Sequence, residues 1–208
     1  MKRLGAACVA WAMAAMAAAR AAPAAEVYSY WIQPCTEDVA ARSGCDAADP
    51  ELAGWALKAW RKAGGSGLQF APAKGEAHAR ICIYWLGSAP QLYGEAHVVI
   101  RNGNRVWVVD VQPDLAQLGP RIAAAGANDK LFRDAVVYLT CLHELGHALA
   151  LPHTADFADI MYSFQYGGDV LEYFNRYRRL LKARPDIREH SGISEADGKR
   201  VASLYAGR

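Results

Sequence analysis

Apolar side chains recur along this chain at two spacings, every second residue and every third or fourth, and the switches between them outline its elements. Residues 27–33 (VYSYWIQ) are a short aromatic and β-branched run, the composition of a first strand. Residues 34–50 hold Pro34, two cysteines, Gly44 and Pro50 and read as a loop. From 51 to 63, Leu52, Trp55, Ala56, Ala59 and Trp60 fall at helical spacing, and the tryptophan pair marks a core-facing stripe. Gly64-Gly65-Ser66-Gly67 stops that helix. Strands follow at 68–70 and 79–86, then a hairpin, 96–101 and 105–111 around Asn102-Gly103-Asn104, a turn suited to positive φ. Residues 113–127 read as a connection. Asn128 or Asp129 caps a long helix running to about Leu149, with Phe132, Ala135, Leu139, Leu142, Gly146 and Leu149 in one stripe. Another helix is predicted over 169–183. A last one is capped by Ser194, with Ile193, Val201, Leu204 and Tyr205 inward. This order of elements predicts an α+β domain built on one mixed sheet.

Composition narrows the class. The chain has 208 residues, the size of one domain, and 53% are apolar, enough for a substantial core. A net charge of +2 with no basic stripe speaks against nucleic acid or an anionic membrane as partner. The first residues carry a different signal. Lys2 and Arg3 precede an apolar, alanine-rich run from Leu4 to Ala19, and Ala19-Arg20-Ala21 and Ala22-Pro23-Ala24 are small-residue cleavage sites. Residues 1–25 therefore read as a signal peptide and 26–208 as a single domain. The run falls short of the ~20 residues a membrane span needs, so no stable anchor is expected after cleavage. Cys8 lies in this leader, after Gly5-Ala6-Ala7, which lacks the large aliphatic residue of a lipid-attachment box. Export leaves Cys35, Cys45, Cys82 and Cys141, an even set with three possible pairings. The short local loop favours Cys35 with Cys45, leaving Cys82 with Cys141; buried free thiols are the alternative, and the local pair is the better supported of the two.

The stretch richest in chemistry is HELGHALALPH, residues 143–153, at the end of the long helical pattern. Positions i and i+4 of a helix are neighbours. His143 and His147 thus project together, and neutral imidazoles at that spacing suit zinc. Glu144 is turned ~100° from His143; it is placed to reach a metal's water rather than to bind as the histidines do. Gly146 leaves a smooth face where the sheet or a ligand could approach. A continued helix would carry His153 away from the other two, so the chain must break. Pro152 supports the break, because the residue before a proline avoids helical angles, and a tight turn near Ala150 would return His153 to the metal. Three protein ligands with a fourth position for water is the pattern of a catalytic site. The bland alternative is a chance HExxH on a helix; the third histidine, the proline and the leader all weigh against it.

HELGHALALPH resembles the HExxHxxGxxH zinc motif of the metzincin metallopeptidases. Asp159-Ile160-Met161-Tyr162 is similar to their Met-turn, and the eight residues from His153 to Met161 match the short form seen in matrixins. Residues 193–205, ISEADGKRVASLY, resemble the matrixin C-terminal helix. Asp197 stands at one of two aspartates that brace the Met-turn region and Ala196 at the other. The likeness is strong over residues 129–162, moderate over 193–205, and elsewhere limited to the order of elements.

The resemblance implies a zincin-like fold, one mixed twisted sheet with an active-site helix and a C-terminal helix. It implies His143, His147 and His153 as zinc ligands, Glu144 as general base, and Met161 as the hydrophobic floor of the site. The implied protein is a secreted or periplasmic zinc endopeptidase, monomeric, acting on protein or peptide substrates, with no cofactor besides zinc. An edge strand would pair with an extended substrate; Arg105–Val111 is the strand expected to do so. Several features depart from the family. Ala150 replaces a glycine, at a cost on the order of 1 kcal/mol if the turn is left-handed. No cysteine-switch segment fits between the leader and the first strand. Glu76, His78, Glu95 and His97 are too scattered to form a second metal site. Residues 163–190 exceed the minimal matrixin segment and are expected beside the pocket, with Phe164, Tyr166 and Tyr173 as candidate lining, though a surface helix with a buried aromatic face is the favoured reading of those rings. Tyr162 is not assigned to the metal, because the family's tyrosine ligand, where present, falls at Ser163. Two other readings stay open: a zinc-bound module that binds without cutting, against which an intact Glu144 speaks, and a zinc hydrolase of non-peptide substrates.

Overall fold

A computed structural model describes residues 25–206; the expected leader, residues 1–25, lies almost wholly outside them. The described chain begins with β1 (Glu26–Ile32), α1 (Glu37–Ser43), α2 (Asp49–Gly64), β2 (Leu68–Pro72) and β3 (Ile81–Trp85). It continues through β4 (Gly94–Arg101), β5 (Asn104–Val111), α3 (Pro120–Asn128), α4 (Lys130–Ala148), α5 (Val170–Arg178) and α6 (Glu195–Tyr205). The architecture is α+β on one mixed five-stranded sheet, ordered β2-β1-β3-β5-β4. β1, β2, β3 and β5 run parallel and β4 runs antiparallel to β5.

Strand alternation decides which side chains meet the helices. Ile81, Ile83, Val109 and Val111 are fully buried on the side covered by α2 and α4. Cys82, Val106 and Val99 point the other way, into a small cluster with Ala79, Trp31 and Tyr84. α2 and α4 lock together through Trp60, whose indole N–H donates to Leu142 O at 2.8 Å, one residue from His143. Arg184, in the segment after α5, reaches Asp134, Glu51 and the carbonyl of Ala48, and so ties that segment to both helices.

Several sequence expectations change. Residues 34–50 are not simply a loop: Thr36 caps α1 by accepting from Val39 N–H, and Gly44, at φ 69°, ends it. Cysteine and proline density hid that short helix. The connection at 113–127 holds α3, which begins on Pro120, a residue preset for the first helical turn. The helix expected over 169–183 stops at Arg178. Leu204 is 40% exposed rather than inward. The Cys35–Cys45 disulfide is present, but Cys82 and Cys141 are both buried free thiols. The sheet itself separates them, since Cys82 belongs to the small outer cluster and Cys141 to the helix-packed core.

The edge strands are β2 and β4, and the one beside the histidines is β4, not Arg105–Val111. β5 is interior because it pairs with β3 on one side and β4 on the other. The two-residue turn at Asn102-Gly103 closes on the pair Arg101 and Asn104, and Gln112 N–H donates to Tyr93 O at 2.8 Å. That register directs the odd-numbered residues of β4 to β5. Gly94, Ala96, Val98 and Ile100 therefore turn their N–H and C=O groups to the free edge. No helix of the described residues is long and apolar enough to cross a membrane.

Candidate metal centre and cleft

α4 delivers two histidines from one face. Asp129 caps its start, accepting from Phe132 N–H at 3.0 Å, and the His143 and His147 rings lie 4.9 Å apart near its end. The helix stops as the sequence requires. Ala150 takes φ 67°, and Leu151 N–H donates to Gly146 O at 3.0 Å, which closes the last turn by a Schellman-type bond. Pro152 follows and His153 comes back over the helix end. A left-handed alanine costs about 1–2 kcal/mol, while a glycine loses about 0.4–1 kcal/mol through its freer unfolded chain. Ala150→Gly is therefore expected to stabilise the fold by about 0.5–1 kcal/mol, read as a higher denaturant midpoint at constant slope. A midpoint that stays or falls would show that this alanine is unstrained.

The three rings converge through Nε2. His153 Nε2 lies 3.2 Å from His143 Nε2 and 3.1 Å from His147 Nε2. Their other nitrogens are spoken for: His143 Nδ1 donates to Ile160 O at 2.7 Å and His147 Nδ1 to Leu151 O at 3.0 Å. A carbonyl only accepts, so both Nδ1 atoms carry the hydrogen and both Nε2 atoms present bare lone pairs. His153 has one hydrogen at most to offer the two. Converging lone pairs of this kind fit a cation. Nitrogens bound tetrahedrally to zinc at ~2.1 Å would be ~3.4 Å apart, close to the spacing here. Among the described residues no other group of three His, Cys, Asp or Glu side chains gathers in this way. That includes Glu76, which instead pairs with Arg101 at 3.0 Å and accepts from the Tyr84 hydroxyl.

Burial pushes His143 down from the ordinary 6.5 to about 4, aided by the two neighbouring rings and opposed by its bond to Ile160. Burial also lowers His147 and His153. Folded values below the unfolded one mean that protons favour the unfolded chain. The metal-free fold is thus at full stability above pH 6.5 and loses it as pH falls toward about 4. Denaturant midpoints of the metal-free protein should decline across that window; a flat profile would contradict the burial of these rings.

Glu144 sits behind the histidines, 7% exposed, and the structure brings it against the edge strand. A Cβ on Gly94 would stand 2.8 Å from Glu144 Cγ and from Thr140 Cγ2, so only glycine lets β4 approach α4 this closely. Burial raises the Glu144 carboxyl to about 8, with Glu95 and Asp110 adding like-charge repulsion. Asp110 lies opposite Glu95 in the β4–β5 ladder and is itself raised, by burial first. Sequence reasoning passed over both acids as contributors. Asp110 was visible as the one charge inside the apolar run VWVVDV, but its proximity to Glu144 follows only from the sheet order.

Met161 is fully buried beneath the helix end, and a Cβ on Gly146 would meet its sulfur at 2.3 Å and Trp60 at 3.2 Å. What approaches Gly146 is thus the methionine and a tryptophan, not the sheet or a ligand. Thr154 N–H donates to Met161 O at 2.8 Å, and Asp197 accepts from Ile160 N–H at 2.6 Å. A cleft of about 410 Å³ opens beside the three histidines and Glu144, floored by Leu139, Thr140, Tyr173 and Phe174 and bounded by Tyr93, Gly94 and Ala96. Phe164 and Tyr173 line it, while Tyr166 does not and is 57% exposed; Tyr173 is at once cleft lining and part of the buried aromatic face of α5. Tyr93, missed in the sequence, stacks on Phe174 at 5.6 Å, and burial pushes its hydroxyl up to about 12. Tyr162 also borders the cleft, but its hydroxyl donates to Gly167 O at 2.9 Å.

A scan against protein-family models finds no match for the chain, and a search of curated proteins finds none.

Proposed function

We propose that this chain is an exported zinc-dependent endopeptidase of matrixin-like type. The observation that carries the proposal is the convergence of three Nε2 lone pairs, two of them fixed by backbone carbonyls, with a buried carboxylate beside them and a free strand edge above the cleft. A zinc ion held by His143, His147 and His153 would supply Lewis acidity, polarising a substrate carbonyl and lowering the pKa of a water toward neutrality.

The chain's own residues account for the rest of the reaction. Ala96 and its alternate neighbours on β4 hold the substrate backbone extended, antiparallel to the strand, by main-chain hydrogen bonds. β4 runs away from the cleft, so an antiparallel peptide places its segment before the scissile bond along Ala96–Ile100 and its segment after it over the aromatic floor. Glu144 takes a proton from the attacking water and gives it to the leaving nitrogen. The ionised carboxylate takes the proton, and the burial that raises this carboxyl favours holding it until the nitrogen leaves. The Cys35–Cys45 disulfide supports an oxidising destination.

The test is metal analysis of the purified protein together with digestion of a mixed peptide library, before and after chelation. About one zinc per chain, with internal cleavage that chelation stops and zinc restores, is the expected result. Zinc bound without any cleavage would replace this reading with that of a binding module, and absence of zinc would remove it.

A further inference from the structure

His143 is held by a residue that is itself held. Its Nδ1–H donates to Ile160 O at 2.7 Å, and Ile160 N–H donates to Asp197 Oδ2 at 2.6 Å. The orientation of Ile160 is thus set from α6 on one side and read by a candidate ligand ring on the other. The Tyr173 hydroxyl, from α5, lies 3.3 Å from the same Ile160 oxygen and 3.1 Å from Asp159 O.

Asp197 does not act alone. It is fully buried and Asp159, just before Ile160, is 2% exposed. One guanidinium bridges them: Arg200 Nη2 donates to Asp159 Oδ2 and to Asp197 Oδ1, each at 2.6 Å. The Ser194 hydroxyl donates to Asp159 Oδ1 at 2.6 Å. Two buried carboxylates at this range repel unless a cation lies between them. α6 has other anchors, since Val201 and Tyr205 are buried in the core and Ser194 caps its first turn. Arg200 is therefore not required merely to dock the helix. Its geometry serves the two carboxylates that flank Ile160.

We propose that Arg200, acting with Asp159, is a positioning residue for the metal centre: it clamps Asp197 against Ile160 N–H, and the Ile160 carbonyl so fixed holds His143 with its hydrogen on Nδ1 and Nε2 free to ligate. Its purpose rests on the metal-site reading above, but the ring state it dictates exists in the metal-free protein. Partners one shell out from a metal ligand act in this way, and losing one typically weakens metal binding by about 10–100-fold.

The experiment pairs histidine side-chain ¹⁵N NMR of the metal-free protein with the rate of zinc release to a chelator. The variants are Arg200→Met, Arg200→Lys and the charge-balanced double Arg200→Gln with Asp159→Asn. Arg184→Met serves as control, removing a paired arginine remote from Ile160. The parent and Arg184→Met should show one His143 tautomer, hydrogen on Nδ1. Arg200→Met and the double variant should show a mixture and release zinc roughly tenfold faster or more, with Arg200→Lys restoring most of both. If Arg200→Met does not fold, the double variant decides, because it removes the guanidinium without leaving two opposed carboxylates. A folded variant lacking Arg200 that keeps the parent's tautomer and release rate overturns the proposal. A parent that binds no zinc overturns the metal reading instead, and the tautomer comparison still decides the positioning role.

Discussion

Glu144→Gln is expected to retain zinc like the parent and to lose peptide hydrolysis by roughly 10²–10⁴-fold, the range of a positioned general base. The carboxyl is not among the three converging histidines proposed to hold the metal, so zinc should stay. Glutamine is nearly isosteric and fits the slot beneath Gly94, which the Asp110 carbonyl and the Glu144 and Thr140 side chains fill. The exchange also removes a charge that burial and the Glu95 and Asp110 carboxylates disfavour. The variant should therefore be no less stable than the parent at alkaline pH, which separates a catalytic defect from a folding one. The loss should fall on kcat rather than KM, since proton transfer matters only as the bond is made. Undiminished cleavage by a zinc-loaded Glu144→Gln protein would exclude this residue as the base.

His153→Ala should cost zinc affinity most visibly. If a binding free energy of about 12 kcal/mol is spread over the donors of a site, one donor is worth roughly 3 kcal/mol, or more than a hundredfold. His153 is the exposed member of the trio and contributes little to the core, so the metal-free fold should be unchanged. Titration against a chelator of known affinity reads the first effect and a denaturant midpoint the second. Equal zinc affinity in parent and variant would remove His153 from the ligand set and leave an ordinary two-histidine helix.

The elements with a strong period were legible in the sequence. The long helix ending in HELGH, the Asn-Gly hairpin and the Ser194-capped helix all lie within a few residues of where the pattern puts them. α1 and α3 were not legible, because each is short and stands among prolines, glycines and cysteines that signal loops. The three histidines were readable for a local reason: helix geometry brings residues 143 and 147 together, and a proline forces the break that His153 needs. Arg200 was not readable. Nothing local in ISEADGKRVASLY shows that its guanidinium lies between a carboxylate three residues back and another 41 residues away.

Sequence alone thus determined the periodic elements, the α+β class, the local disulfide and the identity of the converging donors, all of which depend on neighbours within about ten positions. Tertiary structure decided that β4 is the edge strand beside the cleft, that Cys82 and Cys141 lie on opposite sides of the sheet, that Glu95 and Asp110 crowd Glu144, and that α6 reaches His143 through Ile160. The division has one physical cause. Helical spacing, caps and turns are settled by backbone sterics within a few residues. Strand order and long-range ion pairs are settled by which surfaces bury together, and that choice involves the whole chain.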